Sequence, residues 1–143
     1  MVVQGDTNTV LSGALAASKL NIKVSHVEAG LRSFDRKMPE EINRILTDHI
    51  SDLLFCPTED SKINALKEGI DQHKIFVTGN TVVDALYQNK EFSIKSKILE
   101  KLKVIEKGFF LSTIHRQENV VNKDRFKKII NTLNSVSTYL IKS

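Results

Sequence analysis

The chain has 143 residues, of which 41% are hydrophobic and 27% are charged, and its formal net charge at pH 7 is +4. This size and composition are typical of a compact globular protein, which excludes global disorder. No apolar run approaches the 18 residues of a membrane span, and residues 1–6 lack a secretory signal pattern. The single cysteine, Cys56, excludes an internal disulfide, so the sequence predicts a cytoplasmic protein without membrane association.

The charge is concentrated in the last third of the chain. Residues 90–143 hold 12 basic and 5 acidic side chains, and a basic segment can bind nucleic acid. However, lysines such as Lys97 and Lys101 alternate with glutamates such as Glu100 at helical spacing, and no aromatic residues that could stack on bases lie among them. We therefore interpret the segment as a solvated helix surface and expect no nucleic-acid partner.

Apolar spacing predicts an alternation of strands and helices over the first half of the chain. In chain order these are a strand at 1–4, a helix at 9–20, a strand at 24–27, a helix at 40–50, a strand at 53–55, a helix at 59–67 and a strand at 75–77. Asp6, Thr7 and Asn8 can cap the first helix, and Pro39 suits the first turn of the second. Short apolar strands between helices are typical of an α/β fold with a doubly wound parallel sheet, covered on both faces.

A boundary is predicted after this sheet. Residues 81–107 are helical and charged, without a strand, and a further strand at 109–113 and a helix at 124–140 follow. A doubly wound domain ordinarily begins with a strand and a glycine-rich turn, yet no such turn precedes Asp6. The last unit also stops after one strand and one helix. We therefore expect the chain to be truncated at both ends.

Polar residues of catalytic type follow the predicted strands, in the loops where parallel sheets bind ligands. They are Asp6, Glu28, Arg32, Glu40, Glu41, Asn80, His115 and Arg116. Acids, arginines and a histidine on one rim could transfer protons beside an anionic leaving group. Simpler alternatives stay open, because Asp6 could be only a helix cap and Glu40 and Glu41 could be favoured only by the helix dipole.

The remaining histidines and the cysteine are interpreted as structural. His26 lies inside a strand and is expected to be a satisfied core residue, whereas His49 and His73 occupy predicted surface positions. The histidines are not paired at metal-ligand spacing, so we expect no metal site. Cys56 follows an apolar strand and is interpreted as a buried small residue and not as a nucleophile.

Six motifs, spread in order over about residues 2–130, carry a family resemblance. They read GDTNT at 5–9, HVEAGLR at 26–32, PEEINR at 39–44, PTE at 57–59, TGNTVVDAL at 78–86 and HRQEN at 115–119. Together they resemble the non-hydrolysing UDP-N-acetylglucosamine 2-epimerases, and the segment at 26–30 favours that branch over the hydrolysing one. The loop at 33–38 is shorter than in many bacterial members. The family's opening strand and most of its second domain have no counterpart, so the chain resembles a central fragment.

The resemblance implies two Rossmann-like domains in a glycosyltransferase-B-like architecture, with the site in the cleft between them. Residues 1–88 would form the C-terminal portion of the first domain, 89–107 a helical connection and 108–143 the start of the second. It implies catalytic roles for Asp6, Glu28, Glu40 and His115, and substrate-binding roles for Arg32, Arg116 and Asn80. The side chains of Asp6, Glu28 and His115 are expected to face one cleft.

The implied reaction inverts carbon 2 of UDP-N-acetylglucosamine. The carbon-2 proton is removed and UDP is expelled, and UDP then adds back to the unsaturated sugar with protonation from the other face. No cofactor or metal is needed, and the full-length enzyme is expected to be a homodimer serving polysaccharide biosynthesis. Two alternatives stay open: a nucleotide-sugar-dependent glycosyltransferase of the same architecture, or an inactive truncated chain. The isolated chain is expected to be a poor catalyst.

Overall fold

The computed structural model describes residues 1–141, and the chain divides into two compact units, Met1–Glu91 and Phe92–Ser143. The first unit alternates strands and helices as the apolar pattern predicts. Its elements are β1 (Val2–Gln4), α1 (Asn8–Lys19), β2 (Ser25–Val27), α2 (Pro39–Ile50), β3 (Leu53–Cys56), α3 (Glu59–Lys67), a 3-10 turn (Gln72–Lys74), β4 (Ile75–Val77) and α4 (Thr81–Ile94), the last of which crosses the division between the units.

The strands of the first unit form one parallel sheet in the order β1-β2-β3-β4. The register aligns Val3, His26, Leu54 and Ile75 in one row across the sheet. Within this row Val3 packs against α1, His26 contacts α2, and Leu54 and Ile75 pack against α3, so the three helices lie on the same face of the sheet. The predicted parallel α/β fold is confirmed.

The core of this unit lies between that face and the helices. Val3, Leu54 and Ile75 are buried against small side chains of the helices, among them Ala14 and Ala65. Alanines let a helix backbone approach the sheet closely. Because the strands are parallel, their carboxyl ends and the helix starts that follow them lie at one edge of the sheet. The opposite face carries more exposed residues: Val2 is 70%, Leu53 37% and Phe76 46% exposed.

In its described part the second unit has helices joined by an irregular segment at 103–116. It contains α5 (Ile98–Leu102), α6 (Gln117–Val120) and α7 (Lys123–Ile141). Lys103 ends α5 in the left-handed conformation, with φ +55°. Within residues 1–141, no helix combines the length and the apolar character needed to cross a membrane.

The predicted strands at 1–4, 24–27, 53–55 and 75–77 are confirmed, and the helix boundaries differ from the prediction by only one or two residues. The strand predicted at 109–113 is wrong, because those residues form no strand in the described structure. Phe110 and Leu111 are 71% and 84% exposed, and the four-stranded sheet does not extend to them. An apolar run becomes a strand only when a neighbouring strand supplies its ladder of hydrogen bonds.

Candidate functional site

The candidate site lies at the carboxyl ends of β1 and β2, where two short turns leave neighbouring strands. Gln4 and Val27 are opposite each other in the sheet, and the Gly5 N–H donates to the Val27 carbonyl at 3.1 Å. Asp6 and Glu28 therefore start from adjacent points. The two turns are also close in space, because a Cβ added at Gly5 would lie 3.8 Å from Glu28 Oε2. The structure thus brings together the first two acids of the predicted set.

Asp6 is held by an ion pair and does not cap α1. Arg44 Nη2 donates to Asp6 Oδ2 at 2.5 Å, and the Asp6 side chain is 29% exposed. The cap of α1 is Thr7, whose Oγ1 accepts from the Val10 N–H. The alternative role of Asp6 as a helix cap is therefore wrong, and its carboxylate remains directed to Arg44.

Glu28 occupies a strained backbone position. Its φ is +70°, a region that a residue other than glycine enters at a cost of about 1–3 kcal/mol and that is common at functional sites. The turn is fixed from both sides, since the Ala29 N–H donates to the Phe55 carbonyl and the Gly30 N–H to Asp48 Oδ2. The Glu28 side chain is half-buried and accepts from Gln4 Nε2 at 3.2 Å. It has a neutral donor and no cation within ion-pair distance in the described structure.

Gln4 links Glu28 to the turn after β4. Its Nε2 donates to Glu28 Oε1 and, at 3.1 Å, to Thr81 Oγ1. The turn that carries Asn80 therefore lies at the same edge of the sheet. Asn80 itself caps the start of α4, because its Oδ1 accepts from the Val82 N–H at 3.0 Å. Gln4 was not predicted as a site residue, although it is the last residue of β1 and directly precedes the first site turn.

The two neighbouring glutamates at the start of α2 have opposite environments. Glu40 is exposed and makes no hydrogen bond or ion pair with the described residues. Glu41 is 1% exposed and accepts from the backbone N–H groups of Ser33 and Phe34, both at 2.9 Å. Burial alone would raise the pKa of Glu41, but these hydrogen bonds and one from Arg44 outweigh it and lower the pKa. Glu41 thus holds the loop that leads to Glu40 in its folded conformation.

Arg44 connects the acids of two elements and was not singled out from the sequence. One of its nitrogens donates to Asp6, and Nη1 donates to Glu41 Oε2 at 3.1 Å. Its side chain is 18% exposed, so both contacts are partly shielded from water. Its position three residues after Glu41 on a helix was a usable signal, because that spacing places an acid and a base on one helix face.

Arg32, predicted to bind substrate, is a buried structural cation in this structure. Its side chain is 1% exposed, and it makes four hydrogen bonds, which go to Glu68, Asp48 and the Leu31 carbonyl. Burial opposes its charge, but the two carboxylates outweigh that effect and raise the pKa of Arg32. With its donors engaged inside the protein, Arg32 holds the segment after Glu28 in place.

His26 is the satisfied core residue that the sequence predicts. It is fully buried, with Nδ1 2.6 Å from Asp48 Oδ1 and Nε2 2.9 Å from the Gly5 carbonyl. Asp48 is also fully buried, and no sequence signal other than its helical position marked it. His49 and His73 are partly or fully exposed, as predicted.

Cys56 is confirmed as a buried residue. Its side chain is fully shielded from solvent, and burial is the main cause that raises the pKa of its thiol to about 11. A thiol with such a pKa is almost entirely protonated at neutral pH and is a weak nucleophile. Within residues 1–141, the His, Cys, Asp and Glu side chains form no cluster that could hold a metal ion.

His115 and Arg116 belong to the second unit. Both are exposed, and they precede α6, whose first turn is closed by hydrogen bonds from the Asn119 and Val120 N–H groups to the Arg116 carbonyl. The expectation that His115 shares a cleft with Asp6 and Glu28 stays a prediction.

Comparison with known proteins identifies what the chain resembles. Residues 1–142 match the family model described as UDP-N-acetylglucosamine 2-epimerase. A relative from Methanocaldococcus jannaschii, named UDP-N-acetylglucosamine 2-epimerase, is 62% identical over 133 residues, which are 91% of this chain and 36% of that protein. A Pseudomonas aeruginosa relative, named UDP-2,3-diacetamido-2,3-dideoxy-D-glucuronate 2-epimerase, is 44% identical over 95% of this chain and 38% of its own length.

A solved structure shows the same fold. The crystal structure of M. jannaschii UDP-GlcNAc 2-epimerase in complex with UDP-GlcNAc and UDP matches with a TM-score of 0.89 and 57% identity. The match covers 97% of this chain and 39% of that one. The chain therefore spans little more than a third of the length of these relatives.

Proposed function

The chain belongs to the UDP-N-acetylglucosamine 2-epimerase family, and from that membership we propose that it carries proton-transfer residues of an epimerase acting at carbon 2 of UDP-N-acetylglucosamine. The observation that carries the proposal is the pair Asp6 and Glu28 on adjacent turns at the carboxyl edge of the sheet. Inverting a carbon centre through proton removal requires a base on one face and an acid on the other, and a cluster of carboxylates supplies both.

The two carboxylates have different partners, which suggests different roles. Asp6 is tied to the Arg44 guanidinium, whereas Glu28 has only the neutral Gln4 amide. Among the residues that the structure describes, the Glu28 carboxylate has no ion pair to break when it contacts a substrate, so we assign Glu28 to proton exchange with carbon 2. We propose that Asp6 and the exposed Glu40 are the other two catalytic carboxylates.

The reaction balances without an external reagent. When the carbon-2 proton moves to a carboxylate, the electron pair of that C–H bond forms a double bond to carbon 1. The bond from carbon 1 to the diphosphate oxygen breaks, and UDP leaves with that electron pair. We propose that His115 and Arg116 stabilise the charge on the departing diphosphate, and that Asn80 binds substrate. Arg32 stays a predicted substrate-binding residue, although Asp48 and Glu68 engage its donors in this structure.

The remaining assignments are proposals of the same kind. We propose that the first unit is part of one Rossmann-like domain and that residues 108–143 begin a second. The working form would be a homodimer. These assignments are supported by the family membership and by the solved relatives, whose chains are more than twice as long.

A chimera tests the function directly. The M. jannaschii enzyme is prepared with this chain in place of its own matching 133-residue stretch, and the unmodified enzyme serves as control. We expect the chimera to convert UDP-N-acetylglucosamine to its 2-epimer and to incorporate deuterium at carbon 2 in heavy water. A folded chimera that does neither would refute the proposal. Transfer of the sugar to an acceptor without carbon-2 exchange would instead identify a glycosyltransferase.

A second substrate is favoured by one specific observation. The P. aeruginosa relative is 44% identical over almost the whole chain, and its name specifies a diacetamido glucuronate nucleotide. Both substrates carry an acetamido group at the carbon that is inverted, so the same carboxylates would serve either one. The chimera is therefore assayed with both nucleotide sugars, and a higher kcat/KM for the glucuronate would assign that substrate.

A further inference from the structure

The pair His26 and Asp48 is an unusual feature of the core. His26 is the second residue of a buried row across the sheet whose other members are Val3, Leu54 and Ile75. A buried polar side chain stabilises a fold less than an apolar one of the same shape unless every polar atom is paired. Both ring nitrogens of His26 are paired, and neither His26 nor Asp48 has any solvent exposure.

The hydrogen bonds of His26 and Asp48 define one proton position and a chain of contacts. The Gly5 carbonyl can only accept, so Nε2 of His26 carries a proton. Asp48 Oδ1 is 2.6 Å from His26 Nδ1, and Asp48 Oδ2 accepts from the Gly30 N–H at 3.0 Å and from the Arg32 guanidinium at 2.7 Å. Asp48 therefore orients the His26 ring, whose other side donates to the Gly5 carbonyl.

Further side chains extend this pair into a network. Asp48 lies between His26 and Arg32, and Arg32 in turn forms a two-point pair with Glu68 at 2.7 Å for each bond. These four side chains thus form one connected network on the covered face of the sheet. Such a network resists displacement, because moving any member leaves a buried charge without its partner.

The network ends on the backbone of both site turns. The Gly5 carbonyl directly precedes Asp6, and the Gly30 N–H lies two residues after Glu28. Glu28 has φ +70°, which costs energy in a residue other than glycine, and Gly5 has a permissive backbone at φ +84°, so contacts from outside help to fix both turns. Resting on the proposed function, we infer that His26, oriented by Asp48, is a positioning residue whose Nε2 donor holds the Gly5 carbonyl and so sets the distance between the Asp6 and Glu28 carboxylates.

Two substitutions at His26 separate positioning from simple core packing. His26→Gln keeps a donor at the place of Nε2, toward the Gly5 carbonyl, whereas His26→Asn keeps a donor at the place of Nδ1, toward Asp48. In the chimera, His26→Asn should lower kcat about 10- to 100-fold per folded molecule, with KM changed less than about threefold. His26→Gln should retain more than about a third of kcat, and the exposed His73→Asn serves as the matched control.

Nuclear magnetic resonance of the unmodified chimera, labelled with ¹⁵N-histidine, supplies the second measurement. It should show one histidine with a slowly exchanging proton on Nε2, and that signal should disappear in His26→Gln. An unprotonated Nε2 of His26 would overturn the inference, as would equal kcat for the two His26 variants. If the parent chimera lacks epimerase activity, the proposed function fails, while the contact of His26 Nε2 is still decided by the spectrum.

Discussion

Replacing Glu41 by glutamine should unfold the loop that precedes α2. The Glu41 carboxylate accepts four hydrogen bonds, from the Ser33 N–H and Oγ, the Phe34 N–H and Arg44, and only 1% of the residue is exposed. Three of these bonds end on Oε2 and one on Oε1, so a glutamine oxygen at the place of Oε2 would turn the amide donor toward the Phe34 N–H, and at least that bond is lost. A hydrogen bond to a charged group contributes about 1.5–3 kcal/mol, so we expect a loss of at least that size.

The adjacent Glu40 provides the matched control for this prediction. Glu40 is exposed, so Glu40→Gln should change the free energy of unfolding by less than about 0.5 kcal/mol. Urea unfolding followed by circular dichroism measures both variants, and hydrogen exchange of the Ser33 and Phe34 amides shows whether the loop opens locally. If Glu41→Gln stays within 1 kcal/mol of the wild type and both amides stay protected, the role of Glu41 as the anchor of this loop is refuted.

Three further predictions concern the first unit. The stability advantage of the wild type over Glu41→Gln should shrink as the pH falls below about 4.5, because a lowered folded-state pKa gives stability that is lost on acidification; a constant advantage from pH 7 to pH 3 would contradict this. Gly30→Ala should lower the free energy of unfolding by about 3 kcal/mol or more, since at φ +75° its Cβ would overlap the Ser61 carbonyl. Gly69→Ala, with open space around it, should lower that free energy by only about 1–2 kcal/mol. Equal losses in urea titrations would argue against the overlap. Cys56 should react with a thiol reagent at pH 8 only as fast as the chain unfolds, and rapid labelling of the folded chain would contradict its burial.

The fold could be predicted wherever the signal was local. Apolar runs bounded by turn residues located the four strands of the sheet, and capping residues located the helix starts to within a residue or two. The strand expected at 109–113 depended on a partner strand, which local pattern cannot supply. The chain order of strands and helices predicted the edge where Asp6 and Glu28 meet, because parallel strands all end at the same side of a sheet.

The partners of the site residues could not be predicted, since they come from distant positions in the chain. Arg44 reaches Asp6 across 38 residues and Arg32 reaches Glu68 across 36. A sequence shows that an arginine lies near an acid along the chain, but not whether it is exposed to a ligand or buried against another carboxylate. This is why the buried pairing of Arg32 with Asp48 and Glu68 was not predicted, while its substrate-binding role stays a prediction.

The central claim is that Glu28 exchanges a proton with carbon 2 of the sugar. The most direct measurement is deuterium incorporation at carbon 2 in heavy water by the chimera carrying Glu28→Gln, beside Glu59→Gln as an exposed control whose ion pair with Lys62 is long, at 3.8 Å. Loss of one general acid or base should slow exchange and epimerisation together by about 10²–10⁴-fold, while Glu59→Gln stays at the parent rate. Exchange by folded Glu28→Gln at the parent rate would contradict the claim.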